Sequence, residues 1–131
     1  IVGGGYIGLE AAAVAAKLGL EVTLVEMAPR ILQRVAAPET ADYFRALHRA
    51  HGVTILEGSA LERLVGEARV SAARLADGRE IPGELVIGAG RSSAEIVSSW
   101  GVCLFGEVRE VGFGRHLIPV VEVSAMETVE R

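Results

Sequence analysis

The sequence predicts an α/β fold, in which a parallel sheet is built from βαβ units and one crossover is an antiparallel β-meander. Three observations support this class. A glycine-rich turn lies between a short apolar stub and an alanine-rich stretch with helical spacing. Short β-branched runs alternate with helical periodicity as far as residue 56. Beyond that point, shorter alternating pieces surround an Asp-Gly turn, which is typical of an antiparallel meander.

The first 26 residues contain one complete βαβ unit. Residues 1–3 are interpreted as the end of a first strand. From Tyr6 to Leu18 the apolar residues recur at helical spacing, which predicts a helix that buries Ile7, Ala11, Val14, Ala15 and Leu18. Gly19 follows where a glycine often ends a helix. The run Glu21–Glu26 is β-branched and apolar, and it predicts a buried parallel strand.

The second unit is predicted between residues 39 and 56. A helix from about Glu39 to His51 is expected to bury Tyr43 or Phe44 together with Leu47, and Gly52 ends it. A third parallel strand follows, and then the predicted meander and a last buried strand. These segments are Val53–Leu56, Ala60–Leu64, Arg69–Leu75 with the turn Asp77-Gly78, and Leu85–Ile87.

The pattern weakens after residue 91. Ala94–Trp100 is expected to form a short helix, whereas Val102–Phe105 and Leu117–Val123 are expected to form strands. We therefore predict a nucleotide-binding domain over residues 1–96 and a divergent segment over residues 97–131.

Composition excludes several classes of protein. A chain of 131 residues is the size of one domain. The net charge of −4 argues against a nucleic-acid partner, and charged residues within Leu9–Val25 argue against a membrane span. The one cysteine, Cys103, cannot form an internal disulfide and is expected to be a buried structural thiol. We expect the chain to be a piece of a longer, cytoplasmic protein.

The first turn carries the strongest functional signal. Gly3, Gly5 and Gly8 have the spacing G-x-G-x-x-G between strand and helix. The first glycine permits the tight turn, the second lets a diphosphate approach bare backbone, and the third lets helix and strand pack closely. The helix N-terminus offers N–H groups to the anion. A Rossmann-type dinucleotide site is therefore predicted.

Glu26 ends the second strand 18 residues after Gly8. An acidic side chain at this point reaches the adenine ribose hydroxyls and repels a 2′-phosphate, so NAD is favoured over NADP. Arg30 and Arg34 face the adenosine or diphosphate side of the cofactor, or else they are solvated loop residues. A role for them in holding a 2′-phosphate is disfavoured by Glu26.

Several other residues have two possible roles. Gly88 and Gly90, after a later parallel strand, either let the ribose or nicotinamide approach the backbone or form a plain turn. Tyr6 and Glu10 lie near the nicotinamide end of the turn, or serve in ordinary packing and at the surface. His48 and His51 are expected on a solvated helix face, and no metal cluster or catalytic triad is evident.

Three segments resemble a known module: Gly3–Glu10, Val25–Arg30 and Asp77–Pro82. Together they are similar to the NADH-binding domain of FAD-dependent ferredoxin and rubredoxin reductases, over about residues 1–96. The resemblance implies hydride transfer from NADH to FAD held by another domain of the parent chain, and electron delivery to a ferredoxin- or rubredoxin-type acceptor. The stretch after Ile87 is shorter than is usual in the family, and no match is found from Trp100 onward.

The resemblance also implies residue roles. Gly3, Gly5, Ile7 and Gly8 would line the diphosphate and ribose. The adenosine end would contact Glu26, Met27 and Arg34. Glu10 would lie beside the nicotinamide and flavin, and Tyr6 is similar to the aromatic residue that covers the flavin when NADH is absent. The isolated domain is expected to bind cofactor and not to catalyse. Alternatives are the same module of a nitrite reductase, NADH oxidase or disulfide reductase, an FAD-binding cradle, or an inactive fragment.

Overall fold

A computed structural model of the protein describes residues 1–67, 69–89, 108–113 and 116–121. Within these ranges the α/β class is confirmed, with parallel pairing in one sheet and antiparallel pairing in a second. The elements in chain order are α1 (Tyr6–Lys17), β1 (Thr23–Val25), α2 (Pro38–Ala50), β2 (Thr54–Leu56), β3 (Leu61–Val65), β4 (Ala72–Leu75), β5 (Glu80–Pro82), β6 (Val108–Phe113) and β7 (His116–Val121).

The parallel sheet places the first residues of the chain beside β1. Strands β1 and β2 pair in parallel, with Leu24 opposite Ile55. Val2 forms parallel bridges to Val25 on one side and to Gly88 on the other. The order across the sheet is therefore β2, β1, the segment around Val2, and the segment ending at Gly88. This arrangement brings the ends of three chain segments to the edge where the glycine turn begins.

Helix α1 packs on this sheet through a face that coincides only in part with the predicted one. Gly8, Leu9, Ala11 and Ala12 are buried, whereas Ile7 is 52% exposed and Leu18 is 72% exposed. The predicted stripe was wrong at its two ends because this helix is apolar on nearly every side, so spacing alone does not decide which face turns inward. Gly19 ends the helix with a φ of +80°, as expected for a glycine after a helix.

Helix α2 also differs from the prediction. Its inward side presents Ala41, Phe44 and His48, whereas Tyr43 is 63% exposed and Leu47 is exposed. The predicted partner Leu47 was therefore wrong, and so was the solvated position of His48. Residues 41, 44 and 48 recur at three and four positions along one helix face, and residue 47 does not lie on that face. His51 is exposed, as expected.

The predicted meander is confirmed. Strands β3, β4 and β5 form an antiparallel sheet in chain order, and Gly78 in the Asp77-Gly78 turn has a φ of +88°. The buried strand predicted at Leu85–Ile87 is not a regular strand, and Leu85 is 44% exposed. The segment joins the parallel sheet only at its end, where the Ile87 carbonyl accepts from the Val2 N–H at 2.8 Å.

Strands β6 and β7 form an antiparallel hairpin, and β7 overlaps the strand expected at Leu117–Val123. The expected helix Ala94–Trp100, the strand Val102–Phe105 and Cys103 lie outside the described residues. No helix in the described part of the chain is long and apolar enough to cross a bilayer.

Candidate functional site

The turn between the first segment and α1 has the geometry that its glycines predict. Gly3 has a φ of +113°, which favours glycine. A methyl group at Gly8 would lie 1.8 Å from the Gly3 carbonyl oxygen, so this glycine allows the helix to contact the strand. At Gly5 a methyl group would meet nothing within 4 Å, so this part of the turn faces open space. A ligand can therefore approach the backbone at Gly5.

The start of α1 adds hydrogen-bond donors to this open face. Gly5 is the residue before the helix, and no side chain caps the first turn. The first N–H groups of a helix have no partner within it and carry partial positive charge. Tyr6, Ile7 and Glu10, which the sequence assigned to the site, are all exposed on the first turns of α1. This end of the helix suits an anionic group.

Glu26 lies directly beside the glycine turn. Its Oε2 accepts a hydrogen bond from the Gly4 N–H at 2.6 Å, and its Oε1 accepts one from the Ala28 N–H at 2.7 Å. The side chain is only partly buried. A carboxylate oxygen accepts more than one hydrogen bond, so the group retains capacity for a ligand hydroxyl.

Gly4 belongs to the site although it occupies a variable position of the motif. A methyl group there would lie 2.8 Å from Cγ2 of Ile31 and 3.0 Å from Cβ of Glu26. The residue must therefore be small for the turn to pack against the loop after β1. The sequence signal was the glycine between Gly3 and Gly5, because the G-x-G-x-x-G pattern does not require a glycine at position 4.

The loop after β1 holds the remaining residues predicted for the adenosine end. Met27 and Arg34 are exposed. Arg30, in contrast, turns back on its own loop, and its guanidinium donates to the Ala36 carbonyl at 2.9 Å. Arg30 therefore closes the loop, while Arg34 is accessible to a ligand.

The other side of the turn contains Gly88. It is exposed and bridges to Val2, and a methyl group at Gly8 would lie 3.4 Å from the Ala89 Cβ. Gly88 and Ala89 are thus close to the turn, on the side away from β1. Gly90 lies outside the described residues.

An ion pair behind the turn was missed by the sequence reasoning. The Arg45 guanidinium on α2 donates to both carboxylate oxygens of Glu57, at 2.7 and 2.8 Å, and Glu57 also accepts from the Ile31 N–H at 2.8 Å. Burial is the largest single influence on the pKa of Glu57 and raises it. The hydrogen bonds from Arg45 and Ile31, together with the positive charges of Arg45 and Arg49, outweigh burial and hold the pKa below its ordinary value. No spacing rule joins residues 31, 45 and 57.

His48 was also missed as a structural contact. Its Nε2 lies 2.9 Å from the Leu9 carbonyl oxygen on α1, and its Nδ1 lies 2.8 Å from the Phe44 carbonyl oxygen. The ring therefore connects the two helices. Among the described residues, no cluster of His, Cys, Asp or Glu is arranged to hold a metal ion.

Comparison with known proteins agrees with this geometry. Residues 1–103 match the family model for pyridine nucleotide-disulphide oxidoreductase. The ferredoxin reductase subunit of 5,5′-dehydrodivanillate O-demethylase from Sphingobium sp. (strain NBRC 103272 / SYK-6) is 52% identical over 89 residues, covering 66% of this chain and 22% of that protein.

Two solved structures are similar over a larger share of the chain. The covalent putidaredoxin reductase–putidaredoxin complex has a TM-score of 0.65 and 40% identity, covering 77% of this chain and 25% of that chain. An FAD-dependent pyridine nucleotide-disulphide oxidoreductase from Desulfovibrio vulgaris has a TM-score of 0.65 and 26% identity, covering 92% of this chain and 32% of that chain. The chain spans about a fifth of the length of the curated relatives it matches. It belongs to the pyridine nucleotide-disulphide oxidoreductase family, and its relatives include ferredoxin reductases of oxygenase systems.

Proposed function

We propose that residues 1–96 form the NAD(H)-binding domain of an FAD-dependent ferredoxin or rubredoxin reductase, and that residues 97–131 form a divergent segment. The observation that carries the proposal is the open glycine turn at Gly5, with the Glu26 carboxylate held beside it. The turn and the start of α1 suit the cofactor diphosphate, and Glu26 suits the adenine ribose.

Each part of the cofactor has proposed contacts on this surface. Gly3, Gly5, Ile7 and Gly8 would line the diphosphate and its adjoining ribose. Met27 and Arg34 would add contacts at the adenosine end, since both are exposed on the loop after β1. The nicotinamide would extend toward the opposite side, along residues Tyr6, Glu10, Gly88 and Gly90.

The flavin would be held by another domain of a cytoplasmic parent protein, where it would accept a hydride and pass electrons singly to an iron–sulfur partner. The complex of putidaredoxin reductase with putidaredoxin supports a ferredoxin-type partner. The task of the described residues is to bind and orient NADH. We therefore expect the isolated chain to show no diaphorase activity.

The test is a calorimetric titration of the purified chain with NADH, NADPH and FAD. NADH should bind more tightly than NADPH, because the negative charge of Glu26 repels a 2′-phosphate. Glu26→Ala should weaken NADH binding, whereas Glu21→Ala at the opposite end of β1 should not. Equal affinity for NADH and NADPH would contradict the NAD assignment, and preferential binding of FAD would identify the turn as a flavin cradle.

A further inference from the structure

The ion pair between Arg45 and Glu57 lies behind the glycine turn and is largely buried, with side chains 18% and 16% exposed. We propose that this pair positions the turn for a dinucleotide without contacting the dinucleotide itself. The inference rests on the proposed function and adds two positioning residues to it.

Glu57 contacts the loop after β1. Both carboxylate oxygens of Glu57 accept from the Arg45 guanidinium, and Oε1 accepts in addition from the Ile31 N–H at 2.8 Å. A bidentate arginine–carboxylate pair is geometrically specific, so it fixes the orientation of the carboxylate. Glu57 therefore holds the backbone of the loop at Ile31.

Leu32, the next residue of this loop, has an unusual backbone conformation. Leu32 has a φ of +54° and a buried side chain, a combination that is uncommon for a residue other than glycine. Such a conformation persists where the surrounding contacts hold it in place. The Ile31 N–H, one residue before Leu32, donates to Glu57, and Arg45 fixes the Glu57 carboxylate that accepts this hydrogen bond.

Contacts at Gly4 join the loop after β1 to the glycine turn. The Leu32 N–H donates to the Gly4 carbonyl at 2.8 Å, and the Ile31 side chain packs against Gly4. Glu26 accepts from the Gly4 N–H. Both polar backbone groups of Gly4 are thus held by the loop after β1, so a displaced loop would displace the residue directly before Gly5.

The alternative is that the pair only stabilises the fold. Arg74 offers a matched comparison, because it pairs with Glu62 and Glu80 at 3.5 Å in the antiparallel sheet. Its ion pairs do not involve the loop after β1. A purely structural role predicts that Arg45 variants lower stability and leave cofactor affinity in the folded protein as unchanged as Arg74 variants do.

The experiment measures NADH affinity by calorimetry for the wild type, Glu57→Gln, Arg45→Met, the double variant and Arg74→Met. All are compared at a temperature where circular dichroism shows them to be folded. We expect Kd to rise about 2- to 30-fold for the first two variants, the magnitude typical of coupling through a contact network. The double variant should lose no more than the larger single effect. Unchanged Kd in folded Glu57→Gln and Arg45→Met would overturn the proposal, as would an equal rise in Arg74→Met.

Amide hydrogen exchange provides a second readout. Glu57→Gln should speed exchange at Ile31 and Leu32 while leaving Leu24 in β1 unchanged. In the wild type, ADP-ribose should slow exchange at the same two amides, because coupling between two sites is reciprocal. This wild-type measurement keeps the proposal falsifiable if the variants do not fold, because an absence of slowing would overturn it. If the wild type binds no nucleotide, the proposed function fails, and exchange in Glu57→Gln still tests whether the pair holds the loop.

Discussion

The Glu26 carboxylate accepts a hydrogen bond from the Gly4 N–H at 2.6 Å, so the residue expected to contact the ribose also supports the turn expected to contact the diphosphate. Its other oxygen accepts from the Ala28 N–H. A hydrogen bond therefore connects the glycine turn to Glu26 in the protein without cofactor. Substitutions at Glu26 should alter the shape of the site as well as its charge.

We predict that Glu26→Ala weakens NADH binding without producing tight NADPH binding. The substitution removes the repulsion of a 2′-phosphate, but it also leaves the Gly4 and Ala28 N–H groups without their acceptor. Loss of these hydrogen bonds to a charged group should lower the free energy of unfolding by about 1–3 kcal/mol. Calorimetry and urea denaturation measure the two effects, with Glu21→Ala as the control. A variant of unchanged stability that binds NADPH tightly would show that Glu26 acts through charge alone.

The motif glycines should respond differently to alanine. In Gly8→Ala the new methyl group would overlap the Gly3 carbonyl oxygen, so we expect a loss of at least about 2 kcal/mol in unfolding free energy. In Gly5→Ala the methyl group meets open space, and stability should change by no more than about 0.5 kcal/mol. NADH affinity should nevertheless fall, because the methyl group occupies the face that the diphosphate would approach. If Gly5→Ala keeps the NADH affinity of the wild type, the diphosphate does not bind at this face of the turn.

His48 on α2 and His51, the residue directly after this helix, form a matched pair. Nδ1 of His48 and of His51 each lies 2.8 Å from the carbonyl oxygen four residues earlier, but only His48 is buried and reaches Leu9. His48→Ala should lower the unfolding free energy by about 1–3 kcal/mol through the lost contact to α1. His51→Ala should change it by no more than about 0.5 kcal/mol. Equal losses in urea denaturation would show that the contact between the helices contributes nothing.

Acid should remove the contribution of Glu57. Burial raises the pKa of its carboxyl, but the hydrogen bonds from Arg45 and Ile31 and the nearby positive charges of Arg45 and Arg49 outweigh burial. The folded-state pKa therefore lies below the ordinary value of 4.5. The folded protein therefore binds fewer protons than the unfolded chain in this range, so its free energy of unfolding decreases as the pH is lowered. The stabilisation is complete above about pH 4.5 and is lost as pH falls through the folded pKa.

The measurement compares unfolding free energies of the wild type and Glu57→Gln between pH 7 and acid. The difference should be largest at neutral pH and should shrink as the pH falls. Glu62→Gln is the control, because its partner Arg74 is 3.5 Å away and both side chains are exposed. Such surface pairs contribute little, so its difference should stay small throughout. A Glu57→Gln difference that is independent of pH would contradict the assignment.

Local patterns were sufficient to predict most elements. The β-branched run at Thr23–Val25, the glycine after α1 and the Asp77-Gly78 turn each determine backbone conformation through nearby residues. The buried faces of α1 and α2 were harder to predict. Alanine-rich α1 has no strongly polar face, and in α2 the imidazole of His48 is buried because carbonyl oxygens of two helices lie within its reach.

The sequence by itself determined the order of elements from α1 to β5, the glycine turn and the acidic residue directly after β1, because these depend on spacing along the chain. Only the tertiary structure decided that Gly4 must be small, that Arg30 closes its own loop, and that Arg45 and Glu57 support the turn through Ile31. The contacts of Glu57 with Ile31 and of Leu32 with Gly4 join residues 26 and 28 positions apart. Hydrogen bonds and close packing depend on positions in space, which the folded sheet and helices bring together.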